Sequence, residues 1–327
     1  MKINGQFFDK YFQKYEQITS KPGPAVLVAW IFRAVINAQY RDLNSLKRYF
    51  YSNRCKITNN LSEFDLPKIE LLMVSKKEDF SVLRESLEAA LKMSYNPVTK
   101  ISIILPDIEV ENCKEYFKES KLFQEINFIP EKTIVSSEVI DLINENRPDK
   151  FGWILQQVLV ASYIINSKSE FILVVDADTV ILRPKVWVDK YSRQLLMPTQ
   201  ELHEPYYKFL RASSDIYINP KISFISHHLL VQTKIFCEIF EMFNGSILFA
   251  LQKAFKFSAS MEQSPFDLKY EIYSQYLLLK YPEQIELTKW GNLSLPRTDL
   301  SGFTSSNELK NSLTQHYNSV SFHSWNI

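Results

Sequence analysis

Two aspartates, Asp176 and Asp178, directly follow the apolar run Phe171–Val175 in the stretch FILVVDADTVILRP. In an extended chain, residues separated by one position point to the same side, so both carboxylates face one way. Converging carboxylates repel each other unless a positive charge lies between them, and Mg²⁺ or Mn²⁺ is commonly held by one or two carboxylates plus substrate phosphates. The pair therefore predicts a site for a metal-bound nucleotide. The alternative is that one aspartate caps a turn and the other is solvated.

A second pair of acidic residues, Asp267 and Glu271, occurs in the stretch SPFDLKYEIYSQYLL. Residues four apart lie on one face of a helix, and these two do so if the helix begins at Asp267, with Pro265 close to its first turn. A carboxylate positioned in this way can act as a general base. The alternative is that Glu271 pairs with a nearby lysine on a solvated helix face.

The elements that carry these residues follow from the hydrophobic periodicity, which changes at Pro67. The chain then predicts a strand at Ile69–Val74, an amphipathic helix at residues 78–93, strands at residues 101–105 and 126–129, a helix at residues 153–165 and the strand Phe171–Val175. Strands separated by helices form β-α-β units, which implies a parallel sheet.

Ligands of open α/β sheets collect beyond the carboxyl ends of the strands, where Asp176 and Asp178 lie. The chain has only six glycines and no G-x-G-x-x-G or G-x-x-x-x-G-K stretch, which argues against a glycine-rich loop that binds phosphate. The sequence thus predicts an α/β fold in which the acidic pair marks the binding site.

Composition excludes several classes of protein. With 327 residues, of which 46% are hydrophobic and 14% aromatic, the chain predicts a folded globular protein rather than a disordered one. Lysine plus arginine number 38 against 37 aspartate plus glutamate, so the net charge of +1 gives no general attraction to nucleic acid. Cys55, Cys113 and Cys237 show no metal-ligand spacing, which indicates thiols in a reducing compartment and a cytoplasmic protein.

Residues 1–66 are predicted to form a helical extension that precedes the main domain at residues 67–327. Pro24 can begin a helix there. The apolar part of that helix, residues 25–32, ends at Arg33, well short of the roughly 20 residues that span a bilayer, so no transmembrane segment is expected. We expect a buried helix, with peripheral association at the inner face of the cytoplasmic membrane as the alternative. The oligomeric state stays open.

Four blocks occur in order along the chain: FGWILQQ (151–157), VVDADTVILRP (174–184), SFISHHLL (223–230) and YEIYSQYL (270–277). Together they resemble the GT-A nucleotide-sugar glycosyltransferases and their D-x-D motif. More narrowly, they are similar to a little-characterised bacterial glycosyltransferase family found in surface-polysaccharide clusters. The resemblance covers roughly residues 67–327 and implies a GT-A mixed sheet flanked by helices.

The resemblance implies a nucleotide-diphosphate sugar as donor and Mn²⁺ or Mg²⁺ as cofactor. It implies that Asp178 coordinates the metal that bridges the diphosphate, and that Asp176 binds the ribose or reaches the metal through water. His323, in the C-terminal stretch SVSFHSWNI, would complete the metal coordination; the alternative is a surface histidine on a terminal strand. Lys150 and Trp153, with Arg147, precede the donor-side helix and are expected to contact phosphate or base.

Sugar transfer also needs a base and an acceptor site. In an inverting transfer Glu271 is our first choice for the base and Asp267 the second; a retaining transfer would need none. The residues expected to bind a glycan acceptor, or another hydroxyl acceptor, are His203, Glu204, Tyr206 and Tyr207, in a predicted loop after Pro198, and one of His227 and His228, after a predicted strand at residues 222–225. The other histidine of that pair is expected to pack, and a core tyrosine pair is the alternative for Tyr206 and Tyr207.

Two other classes of protein fit the same acidic pair. A metal-dependent nucleotidyltransferase or phosphodiesterase also uses paired aspartates, but it usually needs further carboxylates for a second metal, and none follows closely after Asp178. A non-catalytic sugar-binding relative would keep the fold without turnover.

Overall fold

The chain folds as a central sheet covered by helices on both faces. The computed structural model describes residues 66–199, 203–214, 216, 222–258, 267, 269–288 and 290–324. The predicted helical extension at residues 1–66 lies outside these residues apart from Leu66, and the boundary between the extension and the main domain stays a prediction.

Ten strands are present in the described part of the chain. In chain order they are β1 (Ile69–Val74), β2 (Val98–Leu105), β3 (Ile126–Pro130), β4 (Phe171–Val175), β5 (Thr179–Ile181), β6 (Gln194–Leu196), β7 (His228–Gln232), β8 (Ile285–Leu287), β9 (Asn292–Pro296) and β10 (Ser319–His323).

Ten α-helices connect these strands within the same residues. They are α1 (Phe80–Met93), α2 (Val110–Phe117), α3 (Ser137–Asn146), α4 (Phe151–Asn166), α5 (Glu204–Ser213), α6 (Thr233–Glu241), α7 (Ile247–Ser258), α8 (Tyr270–Lys280), α9 (Leu300–Ser305) and α10 (Asn307–His316).

The main sheet has five strands in the order β3-β2-β1-β4-β7. The first four run parallel, and β7 pairs antiparallel with β4, so the sheet is mixed. The predicted parallel β-α-β unit is confirmed, and the strands Ile69–Val74 and Phe171–Val175 have the predicted bounds. A mixed α/β sheet flanked by helices is thus the fold class of this protein.

Burial on both faces explains why these strands are continuous apolar runs. In β4, Ile172 and Val174 enter an apolar cluster that contains residues of α4, α6 and α8. Their neighbours Phe171, Leu173 and Val175 enter a second cluster, which contains residues of α1 and α2. Alternation along one strand therefore joins two helical layers.

A three-stranded sheet in the order β5-β10-β9 lies beside the carboxyl end of β4. β10 pairs antiparallel with β5 and parallel with β9. Because β5 begins one residue after Asp178, this pairing carries the C-terminal strand, and His323 at its end, to the acidic motif.

Two local predictions were wrong. The predicted loop that contains His203 and Tyr206 is helix α5 from Glu204 onward, since Pro205 occupies the first turn and Tyr206, Phe209 and Leu210 are buried. No strand forms at residues 222–225, where Ser223 makes a single bridge to Thr199. The residues of that segment bond instead to a buried side chain described below. In the described ranges, no helix has the length and apolar character needed to cross a membrane.

The central position of β4 gives a stability test with a matched control. Ile172 is fully buried, whereas the side chain of Ile108 is 86% exposed. We expect Ile172→Ala to lower the free energy of unfolding by about 2–5 kcal/mol, because it leaves a cavity between strand and helices. Ile108→Ala should change it by about 0.5 kcal/mol or less. Chemical denaturation of both variants measures the difference, and equal effects would contradict the assignment of β4 as a core strand.

Candidate functional site

The candidate site lies where the direction of the sheet changes. β1 pairs with β2 on one side and with β4 on the other. The strand order therefore reverses between β1 and β4, which is the position where ligands of α/β sheets bind. We call this edge of the sheet the crevice. The segment that follows β1 contributes Glu78 and Asp79 to this edge, and the segment that follows β4 contributes Asp176 and Asp178.

Asp178 and His323 form the closest pair of metal-ligand types at this edge. Asp178 Oδ2 lies 3.0 Å from His323 Nδ1. The backbone holds the pair in place, because Phe322 N donates to the carbonyl of Asp178 at 2.9 Å, and the Thr179 and Ser321 hydroxyls lie 2.8 Å apart. The structure thus brings together two residues that the sequence placed 145 positions apart.

Asp176 has a different set of partners. Its Oδ1 accepts from the ammonium of Lys269 at 2.9 Å, and its Oδ2 accepts from the phenol of Tyr270 at 3.0 Å. Nδ1 of His227 lies 3.5 Å from Oδ2. Burial by itself would raise the pKa of Asp176, but Lys269 and His227 outweigh it and lower the pKa below its usual range. Asp176 is therefore an ionised, compensated carboxylate.

Arg297 connects the two edges of the crevice. Its Nη2 lies 4.0 Å from Asp178 Oδ2, its Nη1 donates to the carbonyl of Glu78 at 2.8 Å and pairs with Asp79, and its Nε donates to the carbonyl of Phe322 at 3.0 Å. Burial and the neighbouring Asp178 raise the pKa of Asp79, although Arg297 acts against this shift.

The ligand types at this edge fit a divalent cation only in part. Within the described ranges, no group of three or more His, Cys, Asp or Glu side chains is arranged to hold a metal ion. Asp178 and His323 are a carboxylate and an imidazole in contact, which suits Mn²⁺. Both oxygens of Asp176, however, are engaged by Lys269 and Tyr270. Asp178 and His323 therefore lie in contact at this edge, whereas Asp176 is held by other partners.

Asp267 lies outside this crevice as a buried capping group. It is 1% exposed, and its two oxygens accept from the backbone N–H groups of residues 269, 270, 271 and 272 at 2.6–3.1 Å. These bonds satisfy donors at the start of α8, which begins at Tyr270 rather than at Asp267 as the shared-face prediction required. This placement suits a structural role for Asp267 and leaves neither of its oxygens available to an acceptor hydroxyl.

Glu271 is also buried, with no exposed surface. Its Oε1 accepts from the phenol of Tyr207 at 2.9 Å, the hydroxyl of Ser223 at 2.6 Å and the backbone N–H of Phe224 at 2.8 Å, and its Oε2 accepts from Gln275 at 3.0 Å. These contacts explain why residues 222–225 form no strand. The oxygens of Glu271 are thus engaged by protein donors, and the structure places this residue in a buried network rather than at the crevice.

An aromatic shelf, formed by Trp153, His203 and Tyr206, lies near the start of α4. The rings of Trp153 and Tyr206 stack with centroids 6.0 Å apart and 9° between their planes, and His203 packs edge-on against Tyr206 at 4.3 Å. Trp153 is 36% exposed, so part of its ring can contact a ligand. Since α4 is followed by β4 and packs along the sheet, its first turn lies toward the carboxyl edge.

The remaining predicted residues divide into exposed and buried ones. Lys150 is exposed, and exposed Glu204 pairs with Arg211 at 3.1 Å. His228 is 1% exposed, with its ring 4.3 Å from Trp290 and 5.3 Å from Trp187, and burial lowers its pKa to about 3. The half-buried His227 instead lies beside Asp176, with its ring 5.1 Å from that of His323.

Sequence reasoning missed Lys269 and Arg297. Lys269 stands immediately before the block YEIYSQYL, so its position was visible but its partner was not. Arg297 follows β9, and only the pairing of Pro296 with His323 in the parallel β9–β10 ladder shows that it lies at the site. No local pattern in the sequence marks it.

Comparison with known proteins gives limited information. Residues 71–216 match a family model described as a family of unknown function (DUF6492). No curated protein matches the chain. Similar solved structures include mouse xyloside xylosyltransferase 1 in its apo form, with a TM-score of 0.44 and 13% identity, covering 80% of this chain and 99% of that chain.

Two further similar structures are a galactosyltransferase and a glycosyltransferase. The galactosyltransferase LgtC in complex with donor and acceptor sugar analogs has a TM-score of 0.37 and 11% identity, covering 77% of this chain and 86% of that chain. The apo-form glycosyltransferase GlyE of Streptococcus pneumoniae TIGR4 has a TM-score of 0.36 and 11% identity, covering 79% of this chain and 55% of that chain. At these scores the similarity assigns neither substrate nor chemistry to this chain.

The burial of Glu271 gives a pH-dependent stability test. Burial raises its pKa from 4.5 to about 7 in the folded protein. Between these values the unfolded chain releases the proton and the folded chain keeps it, so stability is lost as the pH rises from about 5 to 8. Relative to Glu271→Gln, we expect the wild type to lose up to about 3 kcal/mol of unfolding free energy over this range.

Chemical denaturation at pH 5 and at pH 8 measures this loss. The comparison with Glu271→Gln removes the contribution of every other titrating group that the two proteins share. A difference between them that does not change with pH would contradict the raised pKa.

Proposed function

We propose that the protein is a metal-dependent glycosyltransferase of GT-A type that moves a sugar from a nucleotide-diphosphate donor to a hydroxyl of a glycan or similar acceptor. The observation that carries this proposal is the contact of Asp178 with His323 at the carboxyl edge of β4, where the strand order of the sheet reverses. A carboxylate and an imidazole in contact at such an edge suit a divalent cation that binds a diphosphate.

Donor binding is assigned to the residues around Asp178. Asp178 and His323 would hold the metal, and a divalent cation bound there supplies positive charge to the diphosphate oxygens as the sugar leaves. Arg297 adds a fixed positive charge 4.0 Å from Asp178, and its bonds to Glu78 and Phe322 keep it in place. Preorganised charge of this kind stabilises a departing anion without the cost of reorganising solvent.

We assign removal of the proton from the acceptor hydroxyl to His227 rather than to Glu271. His227 lies at the crevice with Nδ1 3.5 Å from the ionised Asp176, whereas Glu271 is fully buried. A carboxylate beside an imidazole orients the ring and stabilises the imidazolium that forms when the base takes a proton. This assignment keeps the expected inverting outcome and gives Asp176 a part in positioning the base.

We assign binding of the acceptor to the aromatic shelf. A sugar ring presents apolar faces that stack on aromatic rings, and the partly exposed Trp153 offers such a face, supported from behind by Tyr206. Tyr207 does not join the shelf, because it is 2% exposed and donates to Glu271. Lys150, exposed just before α4, is retained as a contact for a donor phosphate.

We further propose that the reaction serves surface polysaccharide synthesis in the cytoplasm. Cys113 and Cys237 form no disulfide, which fits a reducing compartment. An apolar segment at residues 25–32 would hold the enzyme at the inner face of the membrane, where a growing glycan could be presented.

The metal and donor assignment predicts a selective ligand effect. One of UDP, GDP or CDP with Mn²⁺ should stabilise the wild type in a thermal-shift assay, by about 2.7 kcal/mol at 100 times the dissociation constant. Asp178→Asn should abolish this stabilisation and sugar transfer, because it removes the charged ligand. Asp141→Asn, an exposed aspartate of α3, is the control and should behave as the wild type does.

The outcomes of this assay separate the competing classes of function. Stabilisation of Asp178→Asn equal to that of the wild type would contradict the assignment. Release of nucleoside monophosphate instead of diphosphate from a sugar nucleotide would indicate a phosphodiesterase, and binding without any turnover would indicate a sugar-binding relative.

The base assignment predicts a loss confined to the chemical step. We expect His227→Asn to lower kcat by about 10²–10³-fold, while the dissociation constant of the donor changes by about 3-fold or less. His316→Asn, which alters an exposed histidine of α10, should leave kcat unchanged. Steady-state kinetics and donor titration measure both quantities. A normal kcat for His227→Asn, or retention of the anomeric configuration by NMR, would rule out His227 as the base.

A further inference from the structure

We infer that Lys269 pairs with Asp176 and keeps it away from the metal, so that among the described residues Asp178 and His323 bind the divalent ion. This inference deepens the proposed function, since it concerns the metal of the same site. It departs from the expectation that both aspartates of the D-x-D motif face one shared cation.

Both oxygens of Asp176 already have close partners. Lys269 donates to Oδ1 at 2.9 Å and Tyr270 donates to Oδ2 at 3.0 Å. The side chain of Lys269 is 5% exposed, so its ammonium has little access to water. A metal that recruited Asp176 would have to leave this buried ammonium without its counter-ion, which is strongly unfavourable.

The backbone fixes Lys269 where it meets Asp176. Asp267 accepts from the N–H of Lys269 at 3.1 Å and from that of Tyr270 at 3.0 Å, and these bonds cap the start of α8. The ammonium of Lys269 also lies 4.4 Å from the ring centroid of Tyr270. The pair of donors is therefore presented to Asp176 from the capped start of α8.

Asp178 has partners that a metal can replace at lower cost. His323 is itself a metal-ligand type, and a cation between the two side chains would exchange one hydrogen bond for two coordinate bonds. Arg297 is 4.0 Å away and has its own partners in Asp79 and two backbone carbonyls. The two aspartates of the motif thus differ in how readily each can take a metal.

Loss of Lys269 is expected to strengthen Mn²⁺ binding rather than to weaken it. Removing the competing cation in Lys269→Met frees Oδ1 of Asp176, while Tyr270 still donates to Oδ2. This additional charged ligand should tighten Mn²⁺ binding by about 10-fold or more. Lys269→Arg keeps the ion pair and should bind within about 3-fold of the wild type. Asp178→Asn should weaken Mn²⁺ binding by at least about 10-fold.

A double variant closes the comparison. Asp176→Asn combined with Lys269→Met removes both members of the pair and leaves no buried charge unpaired. Since Asp178 and His323 remain, this variant should bind Mn²⁺ within about 3-fold of the wild type. If Lys269→Met alone does not fold, the double variant decides: retained binding supports the inference, and loss as large as that of Asp178→Asn overturns it.

The full chain is titrated with Mn²⁺ in the absence of nucleotide. Calorimetry and the EPR signal of unbound Mn²⁺ measure the binding. Thermal unfolding of each variant shows whether it is folded. Unchanged or weaker binding by a folded Lys269→Met variant overturns the inference, as does a wild type that binds no Mn²⁺.

Failure of the inference is distinguishable from failure of the proposed function. The expected order of Mn²⁺ affinities without stabilisation by any nucleoside diphosphate would leave the inference standing and contradict the glycosyltransferase. Sugar transfer by the wild type, together with Mn²⁺ binding by Lys269→Met that is no tighter than that of the wild type, would contradict the inference and leave the glycosyltransferase standing.

Discussion

Two carboxylates at the end of one buried strand repel each other, so each needs a partner of its own. The site is built around this constraint. Lys269 compensates Asp176 at 2.9 Å, and His323 meets Asp178 at 3.0 Å. A third carboxylate, Asp79, is paired with Arg297. The positions of α8, β10 and the segment after β9 are all tied to these contacts, because each of them delivers one partner to the edge of the sheet.

The same contacts explain why a small sheet is attached to a larger one. β10 lies between β5 and β9, so one strand brings His323 to Asp178 and also aligns Pro296, next to Arg297, with the end of β10. Arg297 then reaches the backbone that follows β1. The two sides of the crevice are thereby connected by one guanidinium.

Acidic residues in this protein divide into two groups with different surroundings. Asp176 and Asp178 keep part of their surface accessible at the crevice, at 18% and 21% of their side chains. Asp267 and Glu271 have almost none and accept hydrogen bonds from the backbone and from neighbouring side chains. Carboxylates of the second group organise α8 and the segment at residues 223–224. Burial, rather than residue type, therefore separates the two groups of acidic residues.

The sequence by itself determined the regular secondary structure around the site. Apolar runs bounded by turn residues predicted β1 and β4 with the observed bounds. Periodicity located the ends of α1 and α4 within two residues. Both predictions succeed because the local pattern of apolar side chains reflects burial on one or two faces of an element. That pattern also placed Asp176 and Asp178 at a strand end. It predicted, from alternation alone, that His227 and His228 would have different surroundings.

Only the tertiary structure decided which side chains meet. The partners of Asp176 and Asp178 lie 93 and 145 positions away in the chain, and no local period encodes such a contact. The predicted strand at residues 222–225 failed for the same reason, since the N–H of Phe224 bonds to Glu271, 47 positions away, instead of to a neighbouring strand. Hydrophobic periodicity reports burial along a segment, whereas the pairing of charges depends on how separate segments are brought together by sheet order and helix packing.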